Sequence, residues 1–204
     1  MIDRLNSALR RVPTSAIYIM CALLAAWPVY LALTGGLGVE PIKALEHELG
    51  LLALQTIVLI LAVTPLRRYT GLNLIRFRRA LGIMAFVYVV LHLLVWLVLD
   101  VQIPQQIWAD ILKRPYITIG MAAFVLMIPL AVTSNDHFVR RLGPLWRKLH
   151  KATYVVALLG GLHFVMLRKG LQLEPLLYCA AIVVLLLLRW RPVRKTSAAR
   201  TRSA

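Results

Sequence analysis

The chain has 204 residues, 60% of them hydrophobic, and a mean hydropathy of +0.76, whereas soluble domains run at roughly 45–50% apolar residues. Its formal charge of +16 invites a nucleic-acid reading, but the basic residues sit in short connections between apolar runs, which is the pattern of membrane topology rather than of a phosphate-binding face. Nucleic acid is excluded as a partner and a lipid bilayer is expected around the chain. The two cysteines, Cys21 and Cys179, lie inside apolar segments with no CxxC or CxxCH, which argues against thiol chemistry and a covalently attached c-type haem.

In chain order, residues 1–13 form a basic N-terminus carrying Arg4, Arg10 and Arg11. The apolar stretch 14–34 is longer than a signal-peptide core and no A-x-A site follows, so it reads as an uncleaved first span. Five more apolar segments follow at 49–66, 80–99, 115–133, 150–167 and 175–190. The fold expected is an all-α integral membrane protein, a six-helix transmembrane bundle over residues 14–190. The last two segments are short for a hydrocarbon core of about 30 Å. The fifth can start earlier, at Pro144, with Arg147, Lys148 and Lys151 reaching back to the interface. Residues 191–204, ending "RKTSAARTRSA", are polar and basic and are expected to be a disordered tail.

Charge sets the orientation. The N-terminus, the second and fourth connections and the C-terminal tail together carry +17, and the other three connections carry −1. By the positive-inside rule both termini are expected in the cytoplasm.

Three of five histidines fall in spans or at their edges: His92, His150 and His163. Ionisable groups at membrane depth are costly and are functional candidates by default. Neutral imidazole is the cheapest of them and a good iron ligand. Spans three and five both enter from the cytoplasmic side. His92 lies twelve residues past Ala80 and His163 thirteen past His150, so the two reach similar depth, about 18–20 Å along their helices. A pair of imidazoles at matched depth can clamp one flat macrocycle. Gly160, on the same face as His163, and Gly161 lower the wall for a porphyrin to approach. The plainer alternative is that each histidine bridges to a neighbouring helix; the matched depth and the glycine pair favour ligation. His150 lies about 140° around a straight helix from His163, so either the helix is irregular near Gly160 or His150 serves another site or the interface. Tyr88 and Trp96, four residues either side of His92, either flank a bound ring or simply pack.

The remaining histidines are weaker signals. "HELGL" at 47–51 misses HExxH, since Leu51 stands at the second ligand position. Glu46, His47 and Glu48 read as a solvated helix start that can also relay protons or touch a quinone head group. His137 lies in "TSNDHFVRRLG", where Ser134 or Asn135 can cap a short interfacial helix, and is given no chemistry.

Five stretches, "GGLGVEPIKALEHELG", "TPLRRYTGLNLIRFRRALG", "VYVVLHLL", "KRPYITIG" and "LGPLWRKLHKATYVVALLGGLHF", carry a resemblance along nearly the whole chain. The chain resembles the ferric-reductase-like transmembrane family, and within it the haem-binding membrane subunits of bacterial periplasmic methionine sulfoxide reductase systems. That resemblance implies a bacterial inner-membrane location, a b-type haem on His92, His150 and His163, and FMN as a further cofactor. It implies electron input from the quinone pool or a cytoplasmic flavin donor. The implied output is a periplasmic molybdenum-dependent methionine sulfoxide reductase catalytic subunit that repairs oxidised proteins. Related ferric reductases carry a second histidine on span three where this chain has Arg78 and Arg79, so one haem is expected. No G-x-G-x-x-G loop is present for a nicotinamide domain. Two rivals from other classes are a proton-coupled transporter using a histidine relay and a non-redox scaffold. Against the relay, no Asp or Glu lies deep in a span and no inverted repeat is visible.

Overall fold

The computed structural model describes residues 2–168 and 172–189; the tail expected at 191–204 lies outside the described residues. Among these, the structure is helical throughout, with ten α-helices: α1 (Ile2–Arg11), α2 (Thr14–Leu33), α3 (Pro41–Thr70), α4 (Arg78–Leu94), α5 (Pro104–Lys113), α6 (Pro115–Val132), α7 (Asp136–Leu142), α8 (Pro144–Leu149), α9 (Ala152–Leu167) and α10 (Leu173–Arg189). Five stretches are long and apolar enough to cross a membrane: Thr14–Leu33, Pro41–Thr70, Ile75–Val101, Pro115–Val132 and Pro144–Leu167. The sixth expected segment is α10, 17 residues, or about 26 Å at 1.5 Å per residue. The chain is a multi-span membrane protein.

The central rod is α3. Its buried residues Leu45, Leu49, Ala53, Ile57, Ile60 and Leu61 recur every three or four positions, and α2, α4, α9 and α10 pack around it. On α2, Leu23 and Trp27 are exposed, an arrangement natural to a lipid-facing helix and unsuited to water. Proline sets several helix starts, at Pro41, Pro104, Pro115 and Pro144, where the missing N–H costs nothing. Inside α3, Pro65 leaves the carbonyl of Leu61 without its helical donor. Arg189 of α10 donates to it from Nε (2.9 Å) and to the Ile60 carbonyl from Nη2 (2.9 Å), joining the two helices at a buried end.

Three features depart from the sequence reading. Span two begins at Pro41 rather than 49, so Glu46, His47 and Glu48 stand in the second turn of α3, with His47 and Glu48 exposed as a solvated helix start requires and Glu46 half-buried. The basic N-terminus contains a helix, α1, docked on the loop after α3: Asn6 donates to the Gly71 carbonyl (3.1 Å) and accepts from the Asn73 amide (3.0 Å). Beyond α4 the chain continues as a π-helical turn, Val95–Val101, ending at Gln102 with φ 61°. The capped interfacial helix expected near residue 135 is α7, whose first turn is closed by Phe138 N–H donating to Asn135 Oδ1 at 3.0 Å.

Candidate functional site: a paired-histidine cavity

A cavity of about 430 Å³ opens at one end of the bundle, where α3, α6 and α10 begin and α4 and α9 finish. This is within the usual range for a cofactor-sized site. Its deep wall is apolar, with Leu54, Ile57, Phe124, Met127 and Val156 among the lining residues; its mouth is charged, with Lys43, Glu46, Asp100, Arg114 and Arg168. His92 and His163 both line it.

The two imidazoles come from helices that are not packed neighbours. α4 packs on α3 and α9 packs on α6, so the rings meet across the gap between two helix pairs. Their centroids are 6.3 Å apart and their planes 82° apart. His92 Nδ1 lies 2.8 Å from the Glu46 carbonyl, and His163 Nδ1 lies 2.7 Å from the Tyr116 carbonyl. A carbonyl only accepts, so each Nδ1 carries the proton and each Nε2 presents a lone pair. Among the described residues neither Nε2 has a hydrogen-bond partner. An outer-nitrogen bond of this kind orients a metal-bound imidazole and raises its basicity. Two imidazoles on opposite sides of one metal ion, with metal–nitrogen bonds of about 2 Å and a ring radius of about 1 Å, have centres about 6 Å apart. The observed 6.3 Å agrees. Among the described residues no cluster of three or more His, Cys, Asp or Glu side chains can hold a bare ion. Two nitrogens therefore suit a metal whose other four positions arrive filled, as in a planar macrocycle.

At the mouth, Arg114 pairs with Asp110 (3.2 Å) and hydrogen-bonds the Tyr116 hydroxyl (3.4 Å); these contacts raise its pKa further. Arg168 lies against Phe164, and its Nε is buried without a hydrogen-bond partner among the described residues. It is a donor facing a site that can accept an anionic edge.

The other expected residues fall in three places. Gly160 lines the cavity, where an added Cβ would meet Leu54 Cδ1 at an ordinary 3.6 Å. Gly161 does not: a Cβ there would stand 3.1 Å from Cys179 Sγ and from Ile182 Cδ1, so it sets the close approach of α9 to α10. His150 is absent from the cavity lining. It sits at the break between α8 and α9, about 20 Å of helix from His163, stacked on Trp146 at 3.8 Å with Nδ1 donating to the Trp146 carbonyl (3.1 Å). α9 is unbroken through Gly160 and Gly161, so of the two alternatives the structure favours the one in which His150 stands apart from the site of His163. Tyr88 is buried against α2, its hydroxyl donating to the Cys21 carbonyl at 2.6 Å, whereas Trp96 is part of the cavity wall. His47 lines the mouth, and His137 is exposed on α7. Gly50 and Gly120, which the sequence patterns did not single out, lie directly against the two rings.

The model of the ferric reductase like transmembrane component matches residues 49–161, more than half of the chain; the match holds α4 and α6 whole and His92, and ends two residues before His163. The chain belongs to this family. It is also similar to three proteins described as protein-methionine-sulfoxide reductase heme-binding subunit MsrQ. The relative from Agrobacterium fabrum is 51% identical over 172 residues, covering 84% of this chain and 80% of its own. That from Rhizobium meliloti is 50% identical over 181 residues, covering 88% and 83%. That from Brucella anthropi is 46% identical over 171 residues, covering 83% and 77%. No solved structure matches the chain.

Proposed function

We propose that the protein is a haem-binding membrane subunit of a methionine sulfoxide reductase system, and that it passes electrons across the bacterial inner membrane. The observation carrying this reading is the His92–His163 pair, whose rings stand at bis-axial separation with both Nδ1 protons committed to backbone carbonyls. When bound, a b-type haem supplies a one-electron couple buried within the bilayer.

The chain's own residues do the rest. His92 and His163 would hold the haem through their Nε2 atoms, and a group so held would supply one-electron transfer rather than substrate turnover. The apolar wall of Leu54, Ile57, Phe124 and Met127 keeps water from the ring, and Gly160 leaves room for its face. Arg168 offers a donor to a carboxylate edge at the mouth. In this reading residues 14–190 form six spans with both termini cytoplasmic, so the mouth faces the periplasm. Electrons enter from the quinone pool or a cytoplasmic flavin donor and leave to a periplasmic molybdenum-dependent catalytic subunit. FMN, implied by the resemblance, would belong to the input side together with His150 and the basic loops. The histidine relay is less well supported, since His150 stands apart from the other two.

The test is an absorption spectrum of the purified protein. A reducible b-type spectrum, lost in both His92→Ala and His163→Ala, is the expected result. Colourless protein from cells amply supplied with haem would sink the reading.

A further inference from the structure

Glycine in the middle of a helix costs about 1 kcal/mol relative to alanine, so a glycine kept there usually answers a packing need. Gly50 lies inside α3 and Gly120 inside α6. A Cβ built on Gly50 would stand 3.1 Å from His92 Nδ1 and 3.2 Å from its Cε1. On Gly120 the same atom would stand 2.9 Å from His163 Nδ1 and 3.0 Å from its Cε1. In each case the methyl would press on the ring edge that bears the proton. The carbonyls receiving those protons belong to Glu46 and Tyr116, each four residues before its glycine and therefore one turn earlier on the same face.

The arrangement occurs twice. Carbonyl and histidine are separated by 46 residues in the first instance and 47 in the second. In both, one helix supplies the carbonyl and the glycine and its packed partner supplies the imidazole: α3 with α4, then α6 with α9. Gly82, also inside a helix, has open space where its Cβ would go and takes no part.

We propose that Gly50 and Gly120 are positioning residues. Each clears the volume its imidazole needs to reach the carbonyl one turn earlier, so that a duplicated carbonyl–glycine–histidine unit fixes the tautomer and plane of both rings. The inference rests on the haem reading for its effect on iron and on the apoprotein alone for its effect on the rings. An alanine methyl pushes the ring off its carbonyl, lengthens the Nδ1–H···O bond and makes Nε2 less basic. A less basic axial ligand favours the reduced iron and raises the midpoint potential.

The experiment compares Gly50→Ala, Gly120→Ala and Gly82→Ala in the full chain. Haem retention should fall about 10- to 100-fold in Gly120→Ala, less in Gly50→Ala, and not at all in Gly82→Ala. In the haem-loaded fraction, the g-value spread of the ferric low-spin signal, which reports the angle between imidazole planes, should change, and the potential should rise. Histidine 15N spectra of the haem-free protein should show one ring losing its fixed Nδ1–H tautomer in each of the two variants. If Gly120→Ala does not accumulate, Gly50→Ala, with the milder contact, decides alone. Wild-type signals from both the g-values and the 15N spectra overturn the proposal even when the wild type binds haem. A colourless wild type whose Gly→Ala variants still lose the tautomer would instead sink the haem reading and leave the positioning role standing.

Discussion

The two helix pairs that build the cavity are alike where they meet it and unlike elsewhere. α3 and α4 are joined by a short segment, residues 71–77, on which α1 docks through Asn6, and Arg76 donates to the Leu9 carbonyl at 3.1 Å. α6 and α9 are joined through two further helices, α7 and α8, with a break at His150. After its histidine the first pair runs into a π-helical turn, while the second continues as an ordinary helix to Leu167. Glu46 and Tyr116 share nothing as side chains, yet their carbonyls do the same work. What the two pairs hold in common is backbone acceptor, glycine and imidazole. The connections and side chains around that unit differ between the two pairs.

This comparison yields a graded set of outcomes. The largest effect should come from removing either imidazole: His92→Ala and His163→Ala should each abolish six-coordinate haem, because one axial nitrogen cannot hold the low-spin state. His150→Ala should leave the spectrum of the His92–His163 haem intact, since its ring stacks on Trp146 away from the cavity. Loss of that spectrum would mean the pairs are coupled through the α8–α9 break. Next, a bulky residue at Gly161, for instance Gly161→Leu, should overpack the α9–α10 contact at Cys179 and Ile182. It should cost about 1–3 kcal/mol in a thermal or denaturant melt. Gly160→Ala, meeting Leu54 at an ordinary distance, should leave the melt unchanged and lower only haem retention.

Of similar size is the effect of the α3–α10 tie. Arg189→Leu removes the donors to the Leu61 and Ile60 carbonyls and should cost about 1–3 kcal/mol, since one of those carbonyls then lacks any donor. In a Pro65→Ala background the restored backbone N–H should serve Leu61, and the penalty should shrink. Equal penalties in both backgrounds would show that Arg189 acts otherwise. The least effect is expected from Tyr88→Phe, which loses one buried hydrogen bond to Cys21, about 1 kcal/mol, without altering the haem spectrum.

Much of this was legible in the chain. Runs without polar interruption mark membrane helices whatever their packing, and matched distance from the helix entry placed His92 and His163 at one depth. The start of α3 was not legible, because Glu46, His47 and Glu48 read as polar surface when their neighbours are unknown; they are in fact the rim of a cavity. Depth gives height along the membrane normal and not azimuth, so the cavity that separates α4 from α9 was not legible either. The roles of Gly50 and Gly120 depend on what packs against them, which no helical period reveals. Yet the recurrence of glycine and histidine at almost the same separation, Gly50 to His92 and Gly120 to His163, was present in the sequence as an unread repeat.

The account's central claim is that His92 and His163 share one iron. Near-infrared magnetic circular dichroism of the ferric protein tests it most directly, because the charge-transfer band identifies the axial pair. A bis-imidazole band that persists in His150→Ala and disappears in His92→Ala and His163→Ala is the predicted result. A band of any other ligand pair, or a bis-imidazole band that survives removal of either His92 or His163, would contradict it.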